Sequence, residues 1–155
     1  MSYSQHDWWR QAVVYQIYPK SFQDSGNKGT GDLQGIIQRL DYLQQLGVDA
    51  LWLTPIYSSP QIDNGYDIAD YYAIDPAFGS MADFEQLVSA CKQRGLHIIM
   101  DMVFNHTSTE HVWFKTALRD PQSRFRDFYI WRDPINGQEP NNWQSKFGGN
   151  AWAFD

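Results

Sequence analysis

Apolar residues recur along this chain in three short runs that alternate with two helical patterns. Ala12 to Tyr18 (AVVYQIY) is rich in β-branched and aromatic residues and is halted by Pro19, which predicts a buried strand. Leu33, Ile36, Ile37, Leu40, Leu43 and Leu46 then return at the spacing of one helix face, with Asp32 placed to cap its start and Gly47 to stop its end. Ala50 to Leu53 (ALWL) predicts a second strand, closed by Pro55. Ser80 and Asp83 have the spacing of a capping box ahead of an apolar face at Phe84, Leu87, Val88 and Cys91, and Gly95 ends that helix. Leu96 to Phe104 predicts the third strand. LGVDALWL (46–53) and RGLHIIMD (94–101) repeat one scheme, a helix-ending glycine followed by a strand.

Strands alternating with helices predict an α/β fold with a parallel sheet and right-handed crossovers. In such folds the chemistry sits at the carboxyl ends of the strands. Polar clusters fall at those ends here, after Pro19, after Leu53 and after Met100. The last is the most informative: Asp101-Met102-Val103-Phe104-Asn105-His106 closes an apolar strand with a carboxylate, an amide and an imidazole. A carboxylate inside a buried strand is unfavourable unless it is paired. Strand alternation puts 101, 103 and 105 on one face and 102, 104 and 106 on the other, so a bend after Phe104 is needed to bring His106 beside Asp101. The connection from Ile56 to Gly79 is longer than ordinary loops, and Tyr57, Tyr66, Tyr71, Tyr72 and Phe78 within it argue against disorder. From about Asn105 the periodicity is lost, and 107–155 reads as an irregular excursion after the third strand.

The net charge of −6 argues against nucleic acid and against an anionic membrane surface as partners. No run of 18 apolar residues exists for a transmembrane helix, and Met1 to Trp9 lacks the basic and apolar regions of a signal peptide, so a soluble cytoplasmic protein is expected. The single cysteine, Cys91, allows no internal disulfide and lies on an apolar helix face, which predicts core. Aromatic residues make up 16% of the chain, with seven Trp and nine Tyr, and their flat amphipathic surfaces suit sugar rings as well as a core.

QIYPKSF (16–22), LTPIYSSP (53–60), DNGYDIADY (63–71), DMVFNH (101–106) and NNWQSKFGGNAW (141–152) resemble, in order and over essentially the whole chain, the α-amylase superfamily of glycoside hydrolases. Among its branches they are most similar to the group of oligo-1,6-glucosidases and trehalose-6-phosphate hydrolases, with PKSF, LTPIY and SKFGG nearest the latter. The resemblance implies a (β/α)8 TIM barrel. Residues 1–104 would be the amino-terminal part of the catalytic barrel, its first three βα units, and 105–155 the start of an irregular domain B inserted after the third strand. It also implies retaining cleavage of an α-glucosidic bond by two carboxylates about 5 Å apart. In the family these follow the fourth and fifth strands, so no catalytic residue is expected within this amino-terminal fragment, which should be inactive alone. The implied partner is a small-molecule sugar or sugar phosphate, foremost trehalose 6-phosphate, cleaved to glucose and glucose 6-phosphate. Isomalto-oligosaccharides or other α-glucosides are the alternative substrates, and a non-catalytic superfamily member is the alternative class.

By the same resemblance Asp101 supports the catalytic centre and His106 hydrogen-bonds the sugar at the cleavage subsite, while Asp63 and Tyr66 line that subsite. Tyr offers a platform to the glucose ring, and a carboxylate accepts strong charge-assisted hydrogen bonds from hydroxyls. Asp63-Asn64-Gly65 has the alternative reading of an ordinary turn. Asn105 is expected to pin the bend, and Asp67 to pair with a downstream Arg. The loop Asp24 to Asp32 resembles a metal-binding loop of some relatives. Hard cations want several oxygens, and Gly26 and Lys28 stand where oxygen-bearing side chains are needed, so no metal and no cofactor are expected. GNKGTG does not match a phosphate-binding loop. Lys20 and Lys146 are the candidates to meet a phosphate, with a solvated lysine as the competing reading of each. His6, His97 and His111 read as structural or surface residues.

Overall fold

The computed structural model describes residues 5–154, with side chains from Asp7 onward; the expectation for His6 lies outside them, as does the start of the segment read for a signal peptide. In chain order the elements are β1 (Val14–Ile17), α1 (Pro19–Phe22), α2 (Leu33–Gln38), α3 (Leu40–Leu46), β2 (Ala50–Leu53), β3 (Tyr57–Ser58), β4 (Asp70–Ile74), α4 (Met81–Gln93), β5 (His97–Met100) and α5 (Val112–Arg119). Short 3-10 turns cover Gln5–Arg10 and Arg126–Phe128.

β1, β2 and β5 form a parallel sheet with β2 in the middle. The register is in step: Ile17 pairs with Leu53 and Leu53 with Met100. β2 is therefore the most buried strand, as the unbroken ALWL run requires. The outer strands leave Val14 46% and Ile99 37% exposed. Ile17, Leu33, Ile36, Leu40, Leu43, Leu51, Leu53, Ile56 and Leu87 form a core closed to solvent, and buried Cys91 joins it. Burial pushes the Cys91 thiol up to about 11, so it packs as an apolar residue.

Both helix caps are where the sequence puts them. Asp32 accepts from the Gly35 amide at 2.7 Å, and Ser80 and Asp83 form a reciprocal capping box. Gly47 ends α3 in the left-handed conformation, φ 84°. The single helix expected over 33–46 is instead two. Arg39, φ −103° and ψ 1°, turns its amide onto the Ile36 and Ile37 carbonyls, while the apolar stripe continues across the break. The strands are shorter than predicted, because pairing with four-residue β2 limits both neighbours to four residues.

Two further expectations are corrected. The long connection after β2 contains an antiparallel ribbon, β3 with β4, extended by Ala69 N to Ser58 O (2.8 Å) and Asp75 N to Ile56 O (2.9 Å). The excursion after residue 105 contains α5, capped by buried His111, whose Nδ1 accepts from the Trp113 amide at 3.0 Å. Aromatic packing secures it: Trp113 meets Phe125 and Phe128, Phe114 meets Tyr129 and Trp131, and the Arg126 guanidinium sits 3.6 Å over Trp131. His97 lies flat against Trp8, ring centroids 3.8 Å apart.

The His111 cap is pH-sensitive. Burial pushes its imidazole below the ordinary value, against an opposing pull from the Asp70 carboxylate. The folded chain thus favours the neutral ring, whose lone pair makes the cap. That contribution is present above the unfolded value of about 6.5 and is lost as pH falls through the folded value. Amide exchange in α5, corrected for intrinsic rates, should accelerate between about pH 7 and 5, and His111→Asn, with a capping oxygen that does not titrate, should remove the effect. Equal protection at both pH values in the unaltered chain would contradict the assignment.

Candidate functional site

The in-step register brings Tyr18, Thr54 and Asp101, each following the last residue of a strand, to one edge of the sheet. The connection after Thr54 folds over this edge. Its segment Ser59 to Tyr66 is tied to one carboxylate: Asp67 accepts from Ser59 Oγ (2.9 Å), the Ile62 amide (2.9 Å) and the Asp63 amide (3.1 Å). Burial alone would raise the Asp67 carboxyl, but the Ser59 hydroxyl and these amides outweigh it and hold the group below its ordinary value. Among the described residues its partners are those of the turn itself.

Asn64 (φ 52°) and Gly65 (φ 96°) reverse the chain, and Tyr66 N closes the turn on Asp63 O at 3.0 Å. Gly65 is buried, and a Cβ there would meet Pro55 O at 3.1 Å as well as the strained φ. Asp63-Asn64-Gly65 is thus a turn, and it also presents chemistry. It leaves the Asp63 carboxylate exposed with no hydrogen bond among the described residues. At its other end the Tyr66 hydroxyl donates to Asp101 Oδ2 at 3.0 Å. Burial, then the bond to Asp101, raises the Tyr66 phenol above its ordinary value and keeps it a donor. Tyr18, at the end of β1, donates to Asn64 Oδ1 at 3.3 Å.

Because β5 stops at Met100, Asp101 sits half-buried on the rim rather than inside the strand. The bend also comes earlier than expected. Phe104 N reaches Met102 O at 3.0 Å, a three-residue turn that leaves Met102 and Phe104 exposed. Tyr71, on β4, pins the bend: its hydroxyl lies 2.6 Å from Val103 O and 2.8 Å from His106 O. Asn105 holds a ring rather than the bend, its Nδ2 lying 3.2 Å from His106 Nδ1. His106 Nε2 lies 2.9 Å from Tyr66 O. A carbonyl only accepts, so this contact assigns the proton to Nε2 and leaves Nδ1 to accept from Asn105. The bend brings His106 to Tyr66, and Tyr66 in turn holds Asp101.

Asp63, Tyr66, Asp101 and His106 therefore form one cluster. Tyr18, Tyr71 and Asp67, which shape it, were not marked as site residues. The signal for Tyr71 was the aromatic β-prone run Asp70–Ile74, which marks a strand crossing the site. An open groove of about 1060 Å³ runs alongside, lined among others by Tyr71, Tyr72, Phe104, His106, Phe128 and Tyr129. Lys20 and Lys146 are both exposed.

In the loop read for a metal, Asp24 accepts from the Gly26 and Gly29 amides at 2.9 and 2.7 Å, and these bonds, led by that of Gly26, hold its carboxyl below the ordinary value. Asp32 is occupied by Ser25 Oγ and the Gly35 amide, and the Lys28 stem folds against Gly26. Among the described residues no group of three or more His, Cys, Asp or Glu side chains is placed to hold a metal ion. Among them, too, no helix is long and apolar enough to cross a membrane.

Residues 16–155 match the family of the alpha amylase catalytic domain, and the chain belongs to it. Its three parallel strands and their helices are the first units of that family's (β/α)8 barrel. The chain is 63% identical over 147 residues to a trehalose-6-phosphate hydrolase of Escherichia coli, a match covering 95% of this chain and 26% of that protein. It is 56% identical over 148 residues to an oligo-1,6-glucosidase of Halalkalibacterium halodurans, covering 96% of this chain and 26% of that one. It superposes on the crystal structure of trehalose-6-phosphate hydrolase from Bacillus licheniformis with a TM-score of 0.91 at 59% identity, over 95% of this chain and 27% of that chain. The chain thus spans about a quarter of the length of the curated relatives it matches.

Tyr71→Phe isolates the hydroxyl that bridges Val103 and His106. Loss of this bridge should lower stability by about 1–3 kcal/mol, read by chemical denaturation of the polypeptide carrying this segment. A change below about 0.5 kcal/mol, the range of neutral surface substitutions, would show that the bend holds without it.

Proposed function

We propose that this chain is the amino-terminal part of a retaining glycoside hydrolase that cleaves trehalose 6-phosphate, with water, to glucose and glucose 6-phosphate. The observation that carries the reading is the cluster itself: a free carboxylate at Asp63, an aromatic platform at Tyr66 and the ring of His106, gathered around Asp101 at the carboxyl ends of parallel strands. The identity of the chain to trehalose-6-phosphate hydrolases supports the substrate.

In this reading the terminal glucose packs on Tyr66. Asp63 accepts from two of its hydroxyls, which favours cleavage at a chain end. A hydroxyl entering between His106 and the Tyr66 carbonyl accepts a hydrogen bond from Nε2–H and donates one to the carbonyl. Asp101 supports the reacting centre from the rim. The nucleophile and the general acid/base belong to sequence beyond Asp155, after the fourth and fifth strands, and 105–155 begins domain B over the barrel of 1–104. The phosphate lies on the reducing side, where Lys20 or Lys146 could meet it. A phosphorylated sugar does not diffuse across membranes, which favours a cytoplasmic enzyme.

The test is the full-length protein carrying this chain, offered trehalose 6-phosphate and isomaltose separately. The expected outcome is release of glucose and glucose 6-phosphate from the first, with Asp63→Ala lowering kcat/KM by about 10- to 100-fold, the value of a charge-assisted hydrogen bond. Hydrolysis of isomaltose alone would assign an oligo-1,6-glucosidase instead.

A further inference from the structure

Beneath the turn that carries Asp63 and Tyr66, one residue combines two unfavourable features. Gln61 is not a glycine yet has φ 60°, in the left-handed region. Its side-chain amide nitrogen is sealed from solvent and has no hydrogen-bond partner among the described residues. Buried polar groups are almost always paired, and strained backbone persists only where its surroundings over-determine it. The surroundings are specific. Gln61 N donates to Ser59 Oγ at 2.9 Å, and Asp67 holds the next two amides. With the backbone fixed this way, the side chain runs under the turn. Its Nε2 lies 3.6 Å from the point a Cβ on Gly65 would occupy, and Pro55 O lies 3.1 Å from the same point. The Gln61 amide and the Pro55 carbonyl thus close off the space beneath Gly65 that a side chain there would enter. Tyr66 is the next residue along, and its hydroxyl must reach Asp101 across 3.0 Å.

We propose that Gln61 is a positioning residue whose side chain is the spacer between the end of β2 and Gly65, setting the height from which Tyr66 reaches Asp101. This rests on the reading of Asp63, Tyr66, Asp101 and His106 as a glucose subsite. Because the amide nitrogen has no protein partner among the described residues, the spacer role rests on the length of the side chain rather than on that nitrogen's hydrogen bonding. Methionine, of similar length and apolar, replaces it; alanine removes the spacer. Both replacements keep an L-residue at the same φ, so backbone strain is common to them.

The test is made in the full-length protein, with Gln61→Ala and Gln61→Met each introduced alone and on Tyr66→Phe. Gln61→Ala should lower kcat/KM about tenfold or more, the scale of a small misplacement of a substrate-holding group, while Gln61→Met stays within about twofold. On Tyr66→Phe, Gln61→Ala should add nothing, since both act through one contact. An equal loss in both backgrounds, or a lowered Tm with kcat/KM unchanged, overturns the proposal. So does a Gln61→Met variant as impaired as Gln61→Ala. Should the unaltered protein cleave no α-glucoside, the subsite reading fails, and the crystal structure of Gln61→Ala decides the spacer by itself. A Tyr66–Asp101 separation beyond hydrogen-bond distance supports it, and an unchanged one overturns it.

Discussion

The hydrogen bond from the Tyr66 hydroxyl to Asp101 joins two segments that the chain keeps 35 residues apart. On one side is a loop with little regular structure; on the other is the end of the sheet strand β5. Asp101 gives the loop a fixed point, and the loop gives a rim carboxylate the donor it needs away from bulk water. Tyr66 serves twice, since its own carbonyl receives the His106 ring. Through this residue the turn bearing Asp63 and the corner bearing His106 share an anchor.

The sheet makes that anchor possible. Parallel pairing in step sets Ile17, Leu53 and Met100 at one level, so the residue after each of them emerges at one edge. The buried β2 carries no chemistry of its own and holds the level. Above the edge, Asp67 ties the backbone of the turn, Tyr71 that of the bend, and Asn105 holds the His106 ring. The cluster is therefore held in place by protein contacts alone, which, under the proposed glucose-binding role, reduces the ordering that binding must supply.

The regular part of this architecture was legible in the sequence, because apolar periodicity and caps report directly on burial. ALWL, the Asp32 cap and the Ser80–Asp83 box are where the pattern puts them. The break at Arg39 was not legible, since the apolar stripe runs across it unchanged. The β3–β4 ribbon was hidden because Tyr57–Ser58 is two residues long. α5 was hidden because its cap is a histidine, outside the usual capping residues. At the site, Asp63, Tyr66, Asp101 and His106 were named through resemblance, and the structure brings them together. Tyr18 and Tyr71 hold them by contacts across distant segments, whose partners no local spacing reveals, while Asp67 ties the turn from within.

The most direct measurement is a crystal structure of the full-length protein with glucose bound. The expected result is the ring against Tyr66, its hydroxyls within hydrogen-bond reach of Asp63 and His106, and the Tyr66–Asp101 contact kept at about 3 Å. Glucose bound away from this cluster, or Tyr66 turned off Asp101 in the complex, would contradict it.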